Sequence, residues 1–338
     1  MRISRRTALI AGGGALAGIG LSLSAGRRRR LDARVPVAVE ARALDRFSRP
    51  EPERRRFGAL TFRSGLELRS RDDRFGGYSG LWRSADGGRL LAVSDAGTWL
   101  GADLVREGRR LAGLRDAWMA PVLGPEGPLR RRFADAEALA AGDGALYLAF
   151  ERAQRVLRFG WTGAAVEGRG EPVAVPPEVE ALPANKGLEA LAVAPRSGPL
   201  AGALVAVSER ARWGDDAPTR GFILTGPLRG AFDLARSDGY DATDLAFLGG
   251  DALLLERRYA VLLGPAVRLR LLKASAIRPG ARVDGPVIFE AGTECEIDNM
   301  EGLALHRDPD GAAVLTLLSD DNFSPLQRTL LLEFTLDL

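Results

Sequence analysis

Leu81, Leu139, Leu191, Leu245 and Leu303 recur along the chain at spacings of 58, 52, 54 and 58 residues. Each sits in a short apolar run, followed by a glycine-containing turn, a longer apolar run and an acidic residue at its end. Runs of this length bounded by Gly, Pro and Asp read as strand, turn, strand. The stretches are 79–97, 136–152, 187–210, 243–259 and 299–327. The period also closes on itself. Leu303 is followed by 35 residues and Phe57 precedes Leu81 by 24, which together make 59, one further repeat. Internal repetition that closes in this way predicts an all-β ring, a β-propeller. The count gives five blades, or six if one inter-repeat segment hides a blade that has lost its motif. Residues 57–68 are expected to supply the outer strand beside 329–338. A β-sandwich is the alternative architecture.

The last repeat shows where chemistry would collect. Its first strand opens at Glu301 and its second closes at Asp320 and Asp321. An antiparallel pair puts the start of one strand and the end of the next on the same edge, so one hairpin gathers three carboxylates. The other repeats place Glu137, Glu189 and either Asp241 or Asp244 at strand starts, and Asp95, Glu151, Glu209 and Glu256 at strand ends. Arg152, Arg210 and Arg257 directly follow three of the strand-end acids. In a propeller, whose first strands line the channel, these groups would crowd one mouth.

Residues 1–26 have a basic start, an apolar Gly/Ala-rich run and small residues, the pattern of an export signal. Arg5 and Arg6 before the apolar run resemble the twin-arginine motif. The expected partner is the twin-arginine export machinery and the expected location periplasmic or secreted, with membrane attachment only if the signal stays uncleaved. Residues 27–56, dense in Arg and Pro, read as a linker. The seven arginines of residues 1–30, a segment without acids, account for the basic balance: without them the +3 of the chain becomes −4. Nucleic-acid binding is therefore not expected. Cys295 is the sole cysteine, so no intramolecular disulfide can form.

The inventory narrows the chemistry. His306, the one histidine, falls in the first strand of the last repeat, towards the turn and away from the acidic edge. A Ser-His-Asp triad or a histidine zinc site would need it at that edge. Cys295 has no histidine beside it in the repeat geometry, which argues against a thiol nucleophile. Carboxylates without His or Cys suit calcium or magnesium, and interleaved arginines suit a phosphate or carboxylate ligand. Blade-to-blade stapling is the competing role for every one of these residues.

Asn299, Glu301, Gly302, Leu303 and Ala304, with 317–324, Gln327, Thr329 and Leu331, resemble the esterase-like-activity-of-phytase family of phytase-like bacterial proteins. Residues 187–192 and 208–210, and Gly80-Leu81 with Ser94-Asp95, fit the same resemblance, which spans residues 57–338. It implies a secreted or periplasmic propeller and a phosphoester or ester hydrolase. The chain departs from it where Ser79 and Thr243 stand in place of Glu.

Three functions are consistent with these features. The first is a metal-dependent hydrolase of phosphate or related esters, taking a small anionic or ester substrate. Glu137, Glu189, Glu301, Asp320 and Asp321 would hold a divalent cation, calcium foremost. Arg152, Arg210 and Arg257 would neutralise developing charge, and Glu151 or Glu209 would act as general base. The second is a non-catalytic binding propeller of the cell envelope. The third is a calcium-dependent lactonase-like esterase.

Overall fold

The computed structural model describes residues 30–129, 134–183, 186–210, 217–260 and 264–338. The expected export signal, 1–26, lies outside them. Among the described residues no helix is long and apolar enough to cross a membrane.

Five antiparallel sheets form the blades. The innermost strands are Tyr78–Arg83, Ala136–Gly142, Leu188–Val193, Asp241–Leu248 and Asn299–Arg307. Each packs beside the innermost strand of the next blade, and the fifth returns to the first, which closes the ring at five. The second strands are Arg89–Ser94, Ala145–Phe150, Leu204–Ser208, Asp251–Ala260 and Ala313–Asp320.

Closure follows the expected route. Thr329–Leu336 pairs antiparallel with Leu60–Arg69, with Thr329 opposite Leu68 and Leu336 opposite Leu60. The fifth blade is thus built from both ends of the chain.

Much of the segment expected to be a linker belongs to the propeller. Glu40–Leu44 adds an outer strand to Leu60–Arg69, Val35–Pro36 pairs with Trp118 and Met119, and Arg56–Phe57 turns back onto the fifth blade. These are short edge strands, whose outward positions carry charge. Charge there masks the strand pattern in the sequence. The segment turns apolar residues inward: Phe47, between two of these strands, and Phe57 join Phe62, Phe289 and Phe334 between the fourth and fifth blades, with ring centroids 4.8 to 6.0 Å apart. A fully buried phenylalanine contributes about 1.5–3 kcal/mol, so this cluster ties the N-terminal segment to the ring.

One local feature repeats in every blade. The register between first and second strands shifts at Ser79, Glu137, Glu189, Thr243 and Glu301. An extra residue at such a shift bends the strand and re-aims its side chain. The glycines after two of these bulges let blades meet. A Cβ on Gly80 would lie 2.7 Å from the Leu139 Cβ of the second blade, and one on Gly302 would lie 2.9 Å from the Leu81 Cβ of the first.

Candidate active site at the channel mouth

The bulges set out a ring of equivalent positions. The residue before each bulge pairs across to Ser94, Phe150, Ser208, Glu256 and Ser319. The next residue, at the rim, is therefore Asp95, Glu151, Glu209, Arg257 and Asp320. Blades two and three contribute two carboxylates each, blade five Glu301 and Asp320, blade one Ser79 and Asp95, and blade four Thr243 and Arg257.

The carboxylates converge. Asp135, Glu137 and Glu151 each offer an oxygen within 4.8 Å of the others, and so do Glu151, Glu189 and Glu209. Asp135 was not among the residues singled out from the sequence. Its signal is present there: it lies two residues before a bulge, where the fifth repeat has Asn299 and the fourth Asp241.

Crowding and burial resist ionisation. Burial, followed by the nearby Glu301, Asp135, Asp95 and Glu151, raises the Glu137 carboxyl well above its ordinary value. Burial with Glu137, Glu209 and Glu151 does the same to Glu189, and burial with Glu301 and Asp95 to Asp320. Asp95 and Glu151 are each pushed to about 7, by burial first and by Asp135 second. Like charges gathered in a poorly solvated place hold protons or attract cations.

The three arginines have different fates. Arg257 enters the ring, with Nη1 3.1 Å from Glu301 and a hydrogen bond to the Asn299 side-chain carbonyl. Burial works against its charge, but Glu301, Glu209, Glu189 and Asp320 hold its pKa above the ordinary value. Arg210 instead donates from Nε and Nη2 to both oxygens of Asp241, at 2.9 and 2.7 Å, which ties blade three to blade four. Arg152 forms an ion pair with Asp135 at 2.8 Å. Lys186, which lies outside the repeated acids and arginines, reaches Glu209 at 2.5 Å.

Several acids turn out to lie elsewhere or to be engaged. Glu256, read as a strand-end member of the ring, is one residue out of phase and faces the other side of its strand. There it forms buried ion pairs with Arg268 and Arg270, each 2.7 Å. Asp244 accepts the backbone N–H groups of Leu303 and Leu245 at 2.7 and 2.8 Å, stapling the fourth blade to the fifth. Asp321 accepts the N–H of Gly77 and of Phe323, each at 2.9 Å, and the Thr329 hydroxyl at 2.9 Å. It joins the fifth blade to the first and lies outside both trios. Asp320 accepts the N–H of Asn322 at 2.7 Å and stays at the rim.

His306 is opposite Val314, near the turn and remote from the ring, as the repeat alignment predicts. Burial, then the Arg83 charge, lowers its pKa to about 4. Cys295 is buried, and burial with Glu294 pushes its thiol up to about 12. Neither can serve as a nucleophile or base at the mouth.

The trios fit a hard cation. Oxygens bound to calcium at 2.3–2.6 Å lie at most about 5 Å apart, and the spacing within each trio meets that limit.

No curated protein matches the chain. Among solved structures it is similar to the PQQ-bound aldose sugar dehydrogenase of Streptomyces coelicolor, at 13% identity and a TM-score of 0.40, covering 89% of this chain and 99% of that one. It is also similar to Myxococcus xanthus glutaminyl cyclase, at 14% identity and a TM-score of 0.42, covering 78% and 91%. The likeness to Kuenenia stuttgartiensis hydrazine synthase, at 13% identity and a TM-score of 0.37, covers 75% of this chain and 59% of that one. A family model described as esterase-like activity of phytase matches residues 73–323, a span that contains the bulged ring and both carboxylate trios. By that match, the chain belongs to the phytase-like family.

Proposed function

We propose that the protein is an exported hydrolase that cleaves phosphate esters or related esters at the channel mouth, with a divalent cation, calcium foremost, held by the carboxylates of blades two and three. One observation carries this reading: two interlocked carboxylate trios face the ring that also holds Arg257.

A bound cation would supply Lewis-acid polarisation and a more acidic water. The chain's own groups do the rest. Asp135, Glu137, Glu151, Glu189 and Glu209 would supply its hard oxygen ligands. Glu301 orients Arg257 through their 3.1 Å ion pair, and the Arg257 guanidinium binds an anionic oxygen of the substrate. Asp95, held at about 7 and outside both trios, can accept a proton from water and return it to the leaving oxygen near neutral pH. Glu301 and Asp320 keep the Arg257 side of the mouth from being over-charged.

A neutral-ester reading, lactonase-like, is favoured by the pairing of Arg152 and Arg210 with Asp135 and Asp241. Two of the three arginines thereby lose their claim on substrate, and Arg257 remains.

The test is hydrolysis of 4-nitrophenyl phosphate and 4-nitrophenyl acetate by the full chain, with calcium and with chelator, beside Arg257→Gln. Calcium-dependent phosphate release that Arg257→Gln weakens supports the phosphoester reading. Turnover of the acetate alone, indifferent to Arg257→Gln, moves the assignment to neutral esters. Absence of turnover on both substrates, with chelator lowering only the melting temperature, overturns the hydrolase in favour of a binding propeller.

A further inference from the structure

Four of the chain's five tryptophans gather at one place away from the mouth. Trp82 stands opposite Leu91, towards the far end of the innermost strand of blade one. Trp99 and Trp118 lie on the third and fourth strands of that blade, Thr98–Glu107 and Arg110–Pro121. Trp161 ends the third strand of blade two, Arg155–Trp161. Together they line two adjoining recesses between the blades, of about 200 and 220 Å³, which share Trp118 and Arg34 as a common wall. Trp99 is buried, whereas Trp82, Trp118 and Trp161 keep part of their surface open.

The indoles are fixed in place. Trp82 and Trp161 meet edge to face across the blade boundary, with ring centroids 4.9 Å apart. The Trp118 indole lies over Gly101, where an added Cβ would stand 2.3 Å from the ring. The Arg34 guanidinium sits 4.1 Å from the Trp118 ring centre. Asp116 has a φ of 51°, at the register shift between Gly101 and Asp103, and such a bulge re-aims its side chain. The charged lining of the first recess balances, Arg34 and Arg89 against Asp103 and Asp116.

An ion of either sign would meet as many like charges as opposite ones in that recess. A wholly apolar ligand would leave the charged groups desolvated and unpaired. A neutral ring with an apolar C–H face and a rim of hydroxyls suits both kinds of lining. Its face packs on indole, and its hydroxyls donate to the carboxylates and accept from the guanidinium groups. Drug-sized ligands occupy roughly 300–1,000 Å³, so each recess has room for a single ring.

We infer that the groove between blades one and two binds neutral carbohydrate, taking two successive sugar units of a glycan with Trp118 and Arg34 at their junction. This site is separate from the mouth and does not depend on turnover there.

The experiment is affinity electrophoresis of the full chain in native gels containing dextran, mannan, xylan or galactan, with alginate as the anionic comparison. Free mannose and mannotriose, glucose and maltotriose, monitored by tryptophan fluorescence, separate a lone sugar from a glycan stretch. The expected result is retardation by at least one neutral polysaccharide. It should weaken at least fivefold in Asp116→Asn and in Trp161→Ala, and stay unchanged in Tyr259→Ala, an exposed aromatic of blade four. Asparagine tolerates the left-handed backbone of position 116, so Asp116→Asn tests the site even if Trp161→Ala folds poorly. A trisaccharide that binds at least fivefold more tightly than its monosaccharide supports two units, and equal affinities overturn them. Retardation by none of the neutral polysaccharides, or by alginate alone, overturns the carbohydrate site. So does unchanged retardation of a folded Asp116→Asn.

Discussion

Arg257 lies 3.1 Å from Glu301 across the boundary between the fourth and fifth blades, in the ring position that Glu209 and Glu151 occupy one and two blades earlier. At that position the ring carries a guanidinium in place of a carboxylate. The ring positions are lopsided, with two carboxylates each from blades two and three and the Arg257 guanidinium from blade four.

That asymmetry sets a substrate prediction. A charge-assisted hydrogen bond contributes about 1.5–3 kcal/mol, so Arg257→Gln should raise KM for an aryl phosphate by about tenfold or more. KM for an aryl acetate should not change. Michaelis curves for the two substrates, measured side by side, check this; equal losses on both would assign Arg257 to structure alone.

The raised carboxyls give a pH dependence. Asp95 and Glu151 hold their protons to about pH 7 in the folded chain, whereas an unfolded chain releases them near pH 4. Between those values the folded state binds more protons, so stability is lost as pH rises through the window. The metal-free protein should melt at its highest temperature near the acidic end and lower as pH approaches 8. Calcium should flatten that slope. Thermal melts from pH 5 to pH 8, with calcium and with chelator, decide it.

Far from the mouth, Arg83 and Glu333 form an ion pair at 2.9 Å, with neither side chain exposed. Arg83 also donates to the Thr316 hydroxyl at 2.8 Å. Removing one partner of a buried pair costs about 3–5 kcal/mol. Arg83→Met should fall at the lower end, because Arg106 still reaches Glu333 at 2.6 Å. Urea unfolding gives the loss, and calcium binding at the mouth should be unchanged.

The blade-to-blade fit at Gly80 allows a paired test. A Cβ there would meet the Leu139 Cβ at 2.7 Å and its backbone nitrogen at 2.8 Å, so the second blade would have to shift. Gly80→Ala should destabilise by about 1–3 kcal/mol. At Gly113 an added Cβ meets nothing within 4 Å, and Gly113→Ala should stay within about 0.5 kcal/mol. Similar losses at both positions would contradict the contact.

Much of this molecule was written in one dimension. The five leucines and the 59 residues shared between the chain ends determined the blade number and the pairing of Leu60–Arg69 with Thr329–Leu336, because a closed ring needs an integral number of repeats. The recurrence of acids at strand starts and ends determined that Glu137, Glu151, Glu189, Glu209, Glu301 and Asp320 share one mouth.

Tertiary structure decided what faces what. Glu256 and Arg257 are neighbours on one strand and point to opposite faces. Which of them meets the channel depends on the bulge at Thr243, which breaks the two-residue alternation. Whether Arg152 and Arg210 meet substrate or an acid depends on Asp135 and Asp241, residues 17 and 31 positions away that only the folded ring brings near. The outer strand Glu40–Leu44 was hidden for a related reason: an edge strand keeps charge on its exposed face, so its apolar content is too low to mark it until a neighbour supplies the sheet.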